Sequence, residues 1–395
     1  MHIVVGVSGG IAAYKACELV SRLVQDGHQV RVVMTSKAAQ FVAPLTFRAL
    51  TGHAVGMDSD DEPEGPLSHV RLAHWADAMI VAPATAELLA RLAEGLADDL
   101  LSLVYLGCRG PVVMAPAMEA EMWAHPATQR HVARLTADGV VVVGPKSGRL
   151  ASGHWGQGRM AEPDELIEAL RDATSVKDLA GVKMVVTAGA TWEFFDPVRL
   201  LTNPSTGLMG VLIAHFAARR GAEVSLVYGP SVSAKLRPDL RGYPVVSATD
   251  MLEAVERAVR SMPADVLVSA AAVSDFRPAR PRSEKAHKDN VGLTWEMQRN
   301  PDIIRTMAQR YGDRMLMVGF AAETEDPVRS ATIKRQEKGL HAIVANLVGQ
   351  GRGFGDGAHE AWLIADNGEW SIPGASKEAT ATFLLDWIRD RLRSR

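Results

Sequence analysis

The chain has 395 residues, of which 47% are hydrophobic and 23% are charged. This length provides material for two domains of ordinary size, and a single core is not expected. The formal net charge is -3 with both signs interspersed, which argues against a nucleic acid or an anionic membrane held by bulk electrostatics.

The cysteine content and the start of the chain indicate a reduced compartment. Cys17 and Cys108 are the two cysteines, and they lie far apart in sequence. Met1 runs directly into an apolar strand, with no basic and apolar leader before it. No window approaches the roughly 20 apolar residues of a membrane span. We therefore expect a soluble, cytoplasmic protein without a membrane partner.

Strands and helices alternate from the first residue of the chain. The apolar patterns predict strands at residues 3–7, 30–34, 78–82 and 112–115, and helices at residues 11–25, 37–50, 86–93 and 128–137. This βαβ alternation is typical of a parallel sheet with helices on both faces. It pauses at a Gly- and Ser-rich segment, residues 146–160, and at a polar helix near residues 163–173. We place a domain boundary at about residue 178.

The alternation restarts in the second half of the chain. Predicted strands lie at residues 184–187, 223–228, 266–269, 315–320 and 342–345, and a closing helix at residues 377–393. We expect two doubly wound α/β domains, covering residues 1–178 and 179–395. Ligands of such sheets bind beyond the carboxyl ends of the strands. The loops to consider therefore follow Val7, Met34, Ala82, Ala115, Thr187, Ser269 and Phe320.

In the first half, the loop after the first strand allows a phosphate to approach the backbone. Ser8, Gly9 and Gly10 follow the strand and open a helix. The segment lacks the full dinucleotide spacing, and the second strand ends in Thr35 and Ser36 rather than in an acidic residue, so a mononucleotide is favoured. The short loops at residues 82–85 and 115–118 suit a flat ring, although two ordinary βα turns are the alternative.

In the second half, residues 187–210 join a buried strand to a helix predicted at residues 207–220. Asn203, Ser205 and Thr206 can present side chains and free backbone N–H groups at the positive end of that helix. Such a junction can hold an anion. A structural βα turn is the alternative interpretation.

Motifs along the whole chain resemble one known family. They are GVSGGIAAYK, SHVRLAHWAD, VAPAT, PAM followed by MW, and GQGRMAEP, then DPVRLLTN, AAVSDFRP, NPDII, VGFAAET and IVAN. In this order they are similar to the bifunctional coenzyme A biosynthesis enzymes, which join a phosphopantothenoylcysteine decarboxylase to a phosphopantothenate–cysteine ligase. The resemblance implies a flavodoxin-like, FMN-binding first domain and a nucleotide-binding ligase second domain. It also implies CTP as co-substrate, with Mg²⁺ bound mainly through the CTP phosphates and no protein ligand assigned.

The resemblance assigns residues to the flavin site of the first domain. The implied FMN contacts are Ser8, Gly9, Gly10, Thr35, Ser36, Ala84, Thr85 and Met118. His69 matches the catalytic histidine of the family. Its alternative is a helix-end histidine packed under a loop, and the absence of cysteine partners at metal spacing argues against zinc.

The resemblance also assigns residues to the ligase site. The implied nucleotide contacts are Ser269, Ala270, Ala271, Asp275, Lys285, Pro301, Asp302, Ile303, Ile304, Phe320, Lys334 and Lys338. The resemblance gives catalytic roles to Asn203 and Lys285, and it places Asn203 at the acyl intermediate. It implies that Arg199 binds the substrate nearby. Ligation needs positive charge on the polyphosphate, and Lys288 adds to it. Lys334 and Lys338 lie one helical turn apart and can point the same way, although a solvated helix face is the alternative.

Six positions depart from the family pattern, and two of them, Gly357 and His359, lie in the segment FGDGAHEAWLI. Leu208 and His287 stand where lysines are usual, which predicts a weakened or relocated nucleotide site. Glu119 replaces the usual asparagine after PAM, and Ser152 replaces the proton-donating cysteine of the mobile flap. A serine hydroxyl is a far weaker acid than a thiol.

A charged Glu119 would repel the substrate carboxylate by about 4 kcal/mol at about 4 Å with an effective dielectric of about 20. Glu119 should therefore be protonated or turned away. We hypothesise that a neutral Glu119 binds the substrate carboxylate and serves as the acid, so that Glu119→Gln preserves binding but slows the final protonation.

Three functions are compatible with these residues. The first is the full bifunctional enzyme, acting on 4'-phosphopantothenate, cysteine and CTP. The second is a ligase whose first domain survives as an FMN-binding assembly module without decarboxylase activity. The third is a flavin-binding regulatory or structural protein. The resemblance further implies a homo-oligomer, with trimers of the first domain and dimers of the second combining into as many as twelve subunits.

Overall fold

The computed structural model describes residues 1–57, 67–285, 294–349, 360–372 and 376–394. The chain divides into two compact units, Met1–Ser175 and Val176–Arg395. The boundary predicted at about residue 178 falls just after this division. Within the described residues, no helix is long and apolar enough to cross a membrane.

The first unit alternates strands and helices from its first residues. Its elements in chain order are β1 (His2–Val7), α1 (Ala13–Gln25), β2 (Gln29–Met34), a 3₁₀ turn (Ala38–Gln40), α2 (Pro44–Thr51), α3 (Ser68–Trp75), β3 (Ala78–Ala84), α4 (Ala86–Ala93), α5 (Leu100–Gly107), β4 (Val112–Pro116), α6 (Ala120–Ala124), α7 (Pro126–Ala137), β5 (Val141–Val142), β6 (Lys146–Arg149), β7 (Trp155–Arg159) and α8 (Pro163–Thr174).

The central sheet of the first unit is parallel, with strand order β2-β1-β3-β4-β5. This is the flavodoxin-like order, so the predicted fold class of this domain is confirmed. Both faces of the sheet are buried: Val5 packs in the cluster that includes α1 and α8, and Val4 packs in the cluster that includes α3, α4 and α5. Burial on both faces explains why these strands are continuously apolar.

Four segments of the first unit differ from the sequence prediction. Residues 37–50 were expected to form one helix, but α2 begins only at Pro44, because proline fits the first turn of a helix and interrupts an interior. The Gly- and Ser-rich segment at residues 146–160 contains an antiparallel hairpin of β6 and β7. The helices α3 and α5 were not predicted.

The second unit has a larger sheet and two small ribbons. Its elements in chain order are β8 (Lys183–Ala188), β9 (Glu193–Phe194), β10 (Leu200–Leu201), α9 (Leu208–Arg219), β11 (Glu223–Tyr228), β12 (Arg241–Pro244), α10 (Ala248–Ser261), β13 (Val266–Ser269), β14 (Phe276–Pro278), β15 (Met297–Arg299), α11 (Ile303–Tyr311), β16 (Leu316–Glu323), α12 (Pro327–Lys338), β17 (Ala342–Leu347), β18 (Ala361–Ala365), β19 (Gly368–Ser371) and α13 (Lys377–Arg393).

The sheet of the second unit has strand order β12-β11-β8-β13-β16-β17-β18-β19. The strands from β12 to β17 pair in parallel, whereas β18 and β19 add antiparallel strands at one edge. The parallel part has the doubly wound order, with β8 at its centre, which confirms the predicted fold class. The ribbons β9–β10 and β14–β15 lie in the long loops after β8 and β13, and they were not predicted.

An ion-pair network joins the start of the second unit to two of its helices. Asp178 accepts hydrogen bonds from Arg220 Nε at 2.8 Å and Nη2 at 2.7 Å, and from Arg389 Nη1 at 3.1 Å. Arg220 directly follows α9 and also contacts Asp386 at 2.8 Å, while Arg389 lies on α13. The hydrogen bonds from Arg220, followed by that from Arg389, lower the pKa of Asp178 to about 2.

We expect Asp178→Asn to lower the free energy of unfolding at neutral pH by about 2 kcal/mol, the scale of hydrogen bonds to charged groups. The unfolded pKa of an aspartate is about 3.9, so this stability is present above about pH 4 and is lost as the pH falls through the folded pKa of about 2. Thermal denaturation at several pH values should therefore show the difference between the variant and the natural protein shrinking below pH 4. Asp390→Asn removes an exposed partner of Arg389 and should change little. A constant difference at all pH values would contradict this assignment.

Candidate active sites

The carboxyl ends of β1 and β3 are joined by a buried serine. Ser8 Oγ donates to the carbonyl oxygen of Pro83 at 2.7 Å and accepts from the Thr85 backbone N–H at 3.1 Å. Thr85 in turn caps α4, because its Oγ1 accepts from Leu88 N at 3.3 Å. The structure thus brings Ser8, Ala84 and Thr85 together at one edge of the sheet.

The loop after β1 also lies against the loop after β2. A Cβ atom on Gly9 would overlap Lys37 Cβ and would lie 2.9 Å from the Lys37 carbonyl carbon, so only glycine permits this approach. Thr35 N donates to Val7 O at 3.0 Å, which fixes the start of the second loop. Gly10 lies beside Thr85, because a Cβ there would lie 3.5 Å from Thr85 Cγ2. Ser36 follows Thr35 and is exposed.

The end of β4 and the β6–β7 hairpin extend this edge. Ala117 N donates to Ala84 O at 3.1 Å, and Met118 N donates to Gly158 O at 3.1 Å. A side chain on Gly158 would overlap Met118 O, so the hairpin backbone packs directly on the loop after β4. One implied cofactor contact, Ala84, is thus bonded to Ala117, the chain neighbour of another, Met118.

The structure places the two unusual residues of this unit in contact. Ser152 Oγ donates to Glu119 Oε2 at 2.9 Å. Glu119 follows β4 and is half-buried, while Ser152 is exposed at the tip of the hairpin. His69 lies on α3 and is half-buried, and within the described part of the unit no hydrogen bond joins it to Ser8, Glu119 or Ser152.

In the second unit, the loop between β8 and α9 is closed by two glycines. Gly189 and Gly207 have φ angles of +83° and +75°. A Cβ on Gly207 would lie 2.6 Å from Gly189 N, so the two backbones touch. Gly207 N donates to Ser205 Oγ at 3.3 Å and Leu208 N to Thr206 Oγ1 at 3.4 Å. Ser205 N donates to Asn203 O at 2.8 Å, so the expectation of a free N–H group is wrong for Ser205.

Asn203 connects the loops that follow β8 and β13. Its Nδ2 donates to the carbonyl oxygens of Ala272 and Val273, each at 3.2 Å. Ala271 N donates to the buried Thr187 Oγ1 at 3.1 Å, which ties the same two loops at their bases. Arg199 lies on the nearby β9–β10 ribbon, where its Nη1 contacts the buried Asp196 Oδ2 at 2.6 Å. The structure therefore supports the proximity of Asn203 to residues 270–273, which include two of the implied nucleotide contacts.

The residues from 300 to 304 begin α11 beside the Asp275 loop. Asn300 N donates to Asp275 O at 2.9 Å. Asp302 caps α11, because its Oδ1 accepts from Arg305 N at 3.1 Å. The side chains of Ile303 and Ile304 are buried in the core, so these two residues can reach a ligand only through the backbone at the helix end. Pro301 precedes the cap and is half-buried.

Lys334 and Lys338 bind carboxylates on two different elements. Lys334 Nζ lies 2.6 Å from Glu323 Oε1 at the end of β16, and Lys338 Nζ lies 3.0 Å from Asp302 Oδ2 at the start of α11. These contacts bring Lys338 to the implied contact Asp302. Lys285 is exposed and ends a described segment, whereas His287, Lys288, Gly357 and His359 lie outside the described residues.

A further polar residue at this sheet edge was missed by the sequence reasoning. Asn346 lies on β17 opposite Ala322, two residues after Phe320 on β16, so alternation puts Asn346 and Phe320 on the same face. The Asn346 Oδ1 atom is buried, and the described residues provide no hydrogen-bond partner for it. A buried acceptor without a partner is uncommon and indicates a ligand or water. The signal in the sequence was an asparagine inside the otherwise apolar run IVAN.

Comparison with known proteins agrees with this architecture. A family model described as the DNA/pantothenate metabolism flavoprotein C-terminal domain matches residues 179–392, and a Flavoprotein model matches residues 1–175. The Coenzyme A biosynthesis bifunctional protein CoaBC of Vibrio parahaemolyticus is 41% identical to this chain, and the match covers 98% of this chain and 98% of the V. parahaemolyticus protein. The CoaBC protein of Mycobacterium bovis is 43% identical to this chain, and the match covers 98% of this chain and 96% of the M. bovis protein.

One solved structure is similar to part of this chain. It is the FMN-dependent cysteine decarboxylase SpaF, at 35% identity over 43% of this chain and 97% of that one, with a TM-score of 0.38. The two family models together span nearly the whole chain in the order of its two units. The chain therefore belongs to the family of the coenzyme A biosynthesis bifunctional proteins CoaBC.

Proposed function

We propose how the two units of this coenzyme A biosynthesis enzyme divide its ligase and decarboxylase roles. The second unit, taken as residues 179–395, joins cysteine to 4'-phosphopantothenate with CTP and Mg²⁺. The first unit, taken as residues 1–178, uses FMN to decarboxylate the resulting 4'-phosphopantothenoylcysteine to 4'-phosphopantetheine. The order follows from chemistry, because the carboxylate lost in the second reaction enters with cysteine in the first.

In the ligase unit, the substrate carboxylate is activated on the nucleotide, pyrophosphate leaves, and the cysteine amine displaces the nucleotide. Lys285, Lys334 and Lys338 supply positive charge to the phosphates, and Mg²⁺ binds through those phosphates. Lys334 must exchange its contact with Glu323, and Lys338 its contact with Asp302, for phosphate oxygens. Asn203, held by two backbone carbonyls, positions the acyl group, and Arg199 binds substrate beside it.

The base of the nucleotide is assigned to the sheet edge between β13 and β17. Ser269, Ala270, Ala271 and Phe320 line this edge, where Ala270 and Phe320 pack against the same core cluster. Asp275 and the start of α11, with Pro301 and Asp302, contact the rest of the nucleotide. The buried acceptor of Asn346 suits the amino group of a cytosine, since it would then gain the partner that it lacks.

In the decarboxylase unit, the edge built by Ser8, Gly9, Gly10, Thr35 and Thr85 holds FMN. The fit is supported by Gly9, because its lack of a side chain lets the loop after β2, which carries Thr35, pack against the loop after β1 at the strand edge where a phosphate would bind. FMN supplies the electron acceptor that makes loss of carbon dioxide easy. His69, Glu119 and Ser152 are proposed to orient the substrate and to move protons.

The observation that supports the proposal is the pair of hydrogen bonds from Asn203 to the carbonyl oxygens of residues 272 and 273, which join the loop after β8 to the implied nucleotide loop after β13. We also propose small-molecule substrates only, a cytoplasmic location, and an oligomer built from trimers of the first unit and dimers of the second. Incubation with 4'-phosphopantothenate, cysteine, CTP and Mg²⁺ should yield both pyrophosphate and carbon dioxide. Absence of pyrophosphate would refute the ligase role.

A second candidate function is a ligase with an inactive flavin unit. Glu119 and Ser152 favour it, because they replace the asparagine and the proton-donating cysteine that are usual in the family. It predicts pyrophosphate without carbon dioxide from the same incubation. ATP offered in place of CTP tests the nucleotide preference.

We expect Gly9→Ala to abolish FMN retention. The added methyl would overlap Lys37 Cβ and approach the Lys37 backbone to 2.9 Å, so the loops after β1 and β2 must separate. The flavin absorbance of the purified variant should fall at least ~10-fold, while its ligase activity stays. Gly27→Ala is the control: its added Cβ meets nothing within 4 Å, and the left-handed backbone cost at its φ of +81° arises outside the loops proposed to hold the flavin. Normal flavin content in Gly9→Ala would place the cofactor elsewhere.

A further inference from the structure

The two residues that depart from the family pattern in the flavin unit touch each other. Ser152 Oγ donates to Glu119 Oε2 at 2.9 Å, although 33 residues separate them in sequence. One lies after β4 and the other at the tip of the β6–β7 hairpin. Because both replacements meet at one hydrogen bond, we treat them as a single functional change.

Backbone packing holds this contact in place. Met118 N donates to Gly158 O at 3.1 Å, immediately before Glu119. A side chain on Gly156 would lie 2.6 Å from Ala120 Cβ, so the hairpin also lies close on the other side of Glu119. The hairpin tip is itself fixed by a bond from Leu150 N to His154 O at 2.8 Å. The contact therefore follows from the fold and not only from the side-chain rotamers.

We propose that Glu119 and Ser152 form a proton relay that replaces the thiol donor of the family. This inference depends on the proposed decarboxylase function. Loss of carbon dioxide breaks the carbon–carbon bond to the substrate carboxylate. The carbon that loses it takes up one proton, and the neighbouring thiol-bearing carbon regains the hydride that bound FMN would have accepted from it before decarboxylation. Ser152 Oγ gives its proton to that carbon and receives the carboxyl proton of Glu119, which water later replaces.

The chemistry of the two groups suits this transfer. A hydroxyl is both donor and acceptor, whereas serine alone is too weak an acid to supply the proton. A substrate carboxylate near Glu119 disfavours a second negative charge there, because like charges at close range repel. With Glu119 protonated, the hydrogen bond reverses: the carboxyl donates to Ser152 Oγ, and the serine proton turns to the substrate. The same 2.9 Å contact serves both directions.

In the test, the full-length natural protein and its variants Glu119→Gln and Ser152→Ala are each incubated with the substrate 4'-phosphopantothenoylcysteine. Mass spectrometry separates the thiol product from the enethiol that lacks two hydrogens, and absorbance follows the flavin. We expect both variants to release carbon dioxide but to accumulate the enethiol, with the ratio of thiol to enethiol falling roughly 10²-fold, the scale of general acid catalysis. Accumulation in Glu119→Gln alone, in Ser152→Ala alone, or in neither would overturn the relay.

Two controls separate the relay from a structural role and from failure of the proposed function. Hydrogen exchange of residues 150–154 without substrate should rise in Ser152→Ala but not in Glu119→Gln, because the amide keeps an acceptor for Ser152. The double variant Glu119→Asn, Ser152→Cys restores the family pair and should form the thiol product. If the natural chain releases no carbon dioxide and the double variant does, the flavin unit is inactive as it stands, and both proposals for it fail.

Discussion

Replacing Lys334 with methionine should reduce kcat/KM for CTP by about 10- to 150-fold, which corresponds to about 1.5–3 kcal/mol for a hydrogen bond to a charged group. Lys334 now binds Glu323, whose side chain is only 13% exposed. A triphosphate carries more negative charge than one carboxylate, so we expect the ammonium to transfer to the nucleotide when it binds. The measurement is steady-state kinetics of pyrophosphate release at varied CTP.

Loss of the lysine also leaves Glu323 as a largely buried carboxylate without its partner, which by itself destabilises the fold. The double variant Lys334→Met, Glu323→Gln removes that charge and isolates the role of Lys334 at the nucleotide. It should regain stability in thermal denaturation but not the kcat/KM for CTP. Glu323→Gln alone should keep activity, since it only releases the lysine. Recovery of normal kcat/KM in the double variant would show that Lys334 acts on stability and not on CTP.

Much of the fold could be predicted from the sequence because the central strands are buried on both faces and are continuously apolar. The bounds predicted for α4 and α13 agree with the structure at both ends. The helices α3 and α5 were missed for opposite reasons. Charged and polar residues interrupt α3, whereas α5 is apolar nearly all round, so neither shows a clear helical period.

The sites could be predicted only in part. The position of Ser8 and Thr85 at strand ends follows from the doubly wound pattern, since the carboxyl ends of parallel strands share one edge. Contacts between distant segments do not follow from any local pattern. The bond from Ser152 to Glu119 and the pairing of Lys338 with Asp302 depend on how loops pack, and the structure alone reveals them.

Gly207→Ala should have the largest effect on ligation. The residue has a φ of +75°, and an added Cβ would lie 2.6 Å from Gly189 N and 2.8 Å from Gly189 Cα. Backbone atoms cannot turn aside as a flexible side chain can, and Gly189 is itself at a φ of +83°. The loop carrying Asn203 must therefore move. A displacement of about 1 Å at a reacting group can cost about 10²-fold in rate, so we expect kcat/KM for ligation to fall at least that far.

The matched control for this variant is Gly339→Ala. Gly339 also has a positive φ, +66°, but an added Cβ there meets nothing within 4 Å. In both variants, an alanine in the left-handed conformation destabilises the fold by about 1–2 kcal/mol, and only Gly207→Ala adds the steric overlap. Flavin content and decarboxylation of supplied 4'-phosphopantothenoylcysteine should persist in both, because these properties belong to the first unit. If the two variants ligate cysteine at similar rates, the contact between Gly207 and Gly189 does not shape the ligase site, and the placement of Asn203 must be revised.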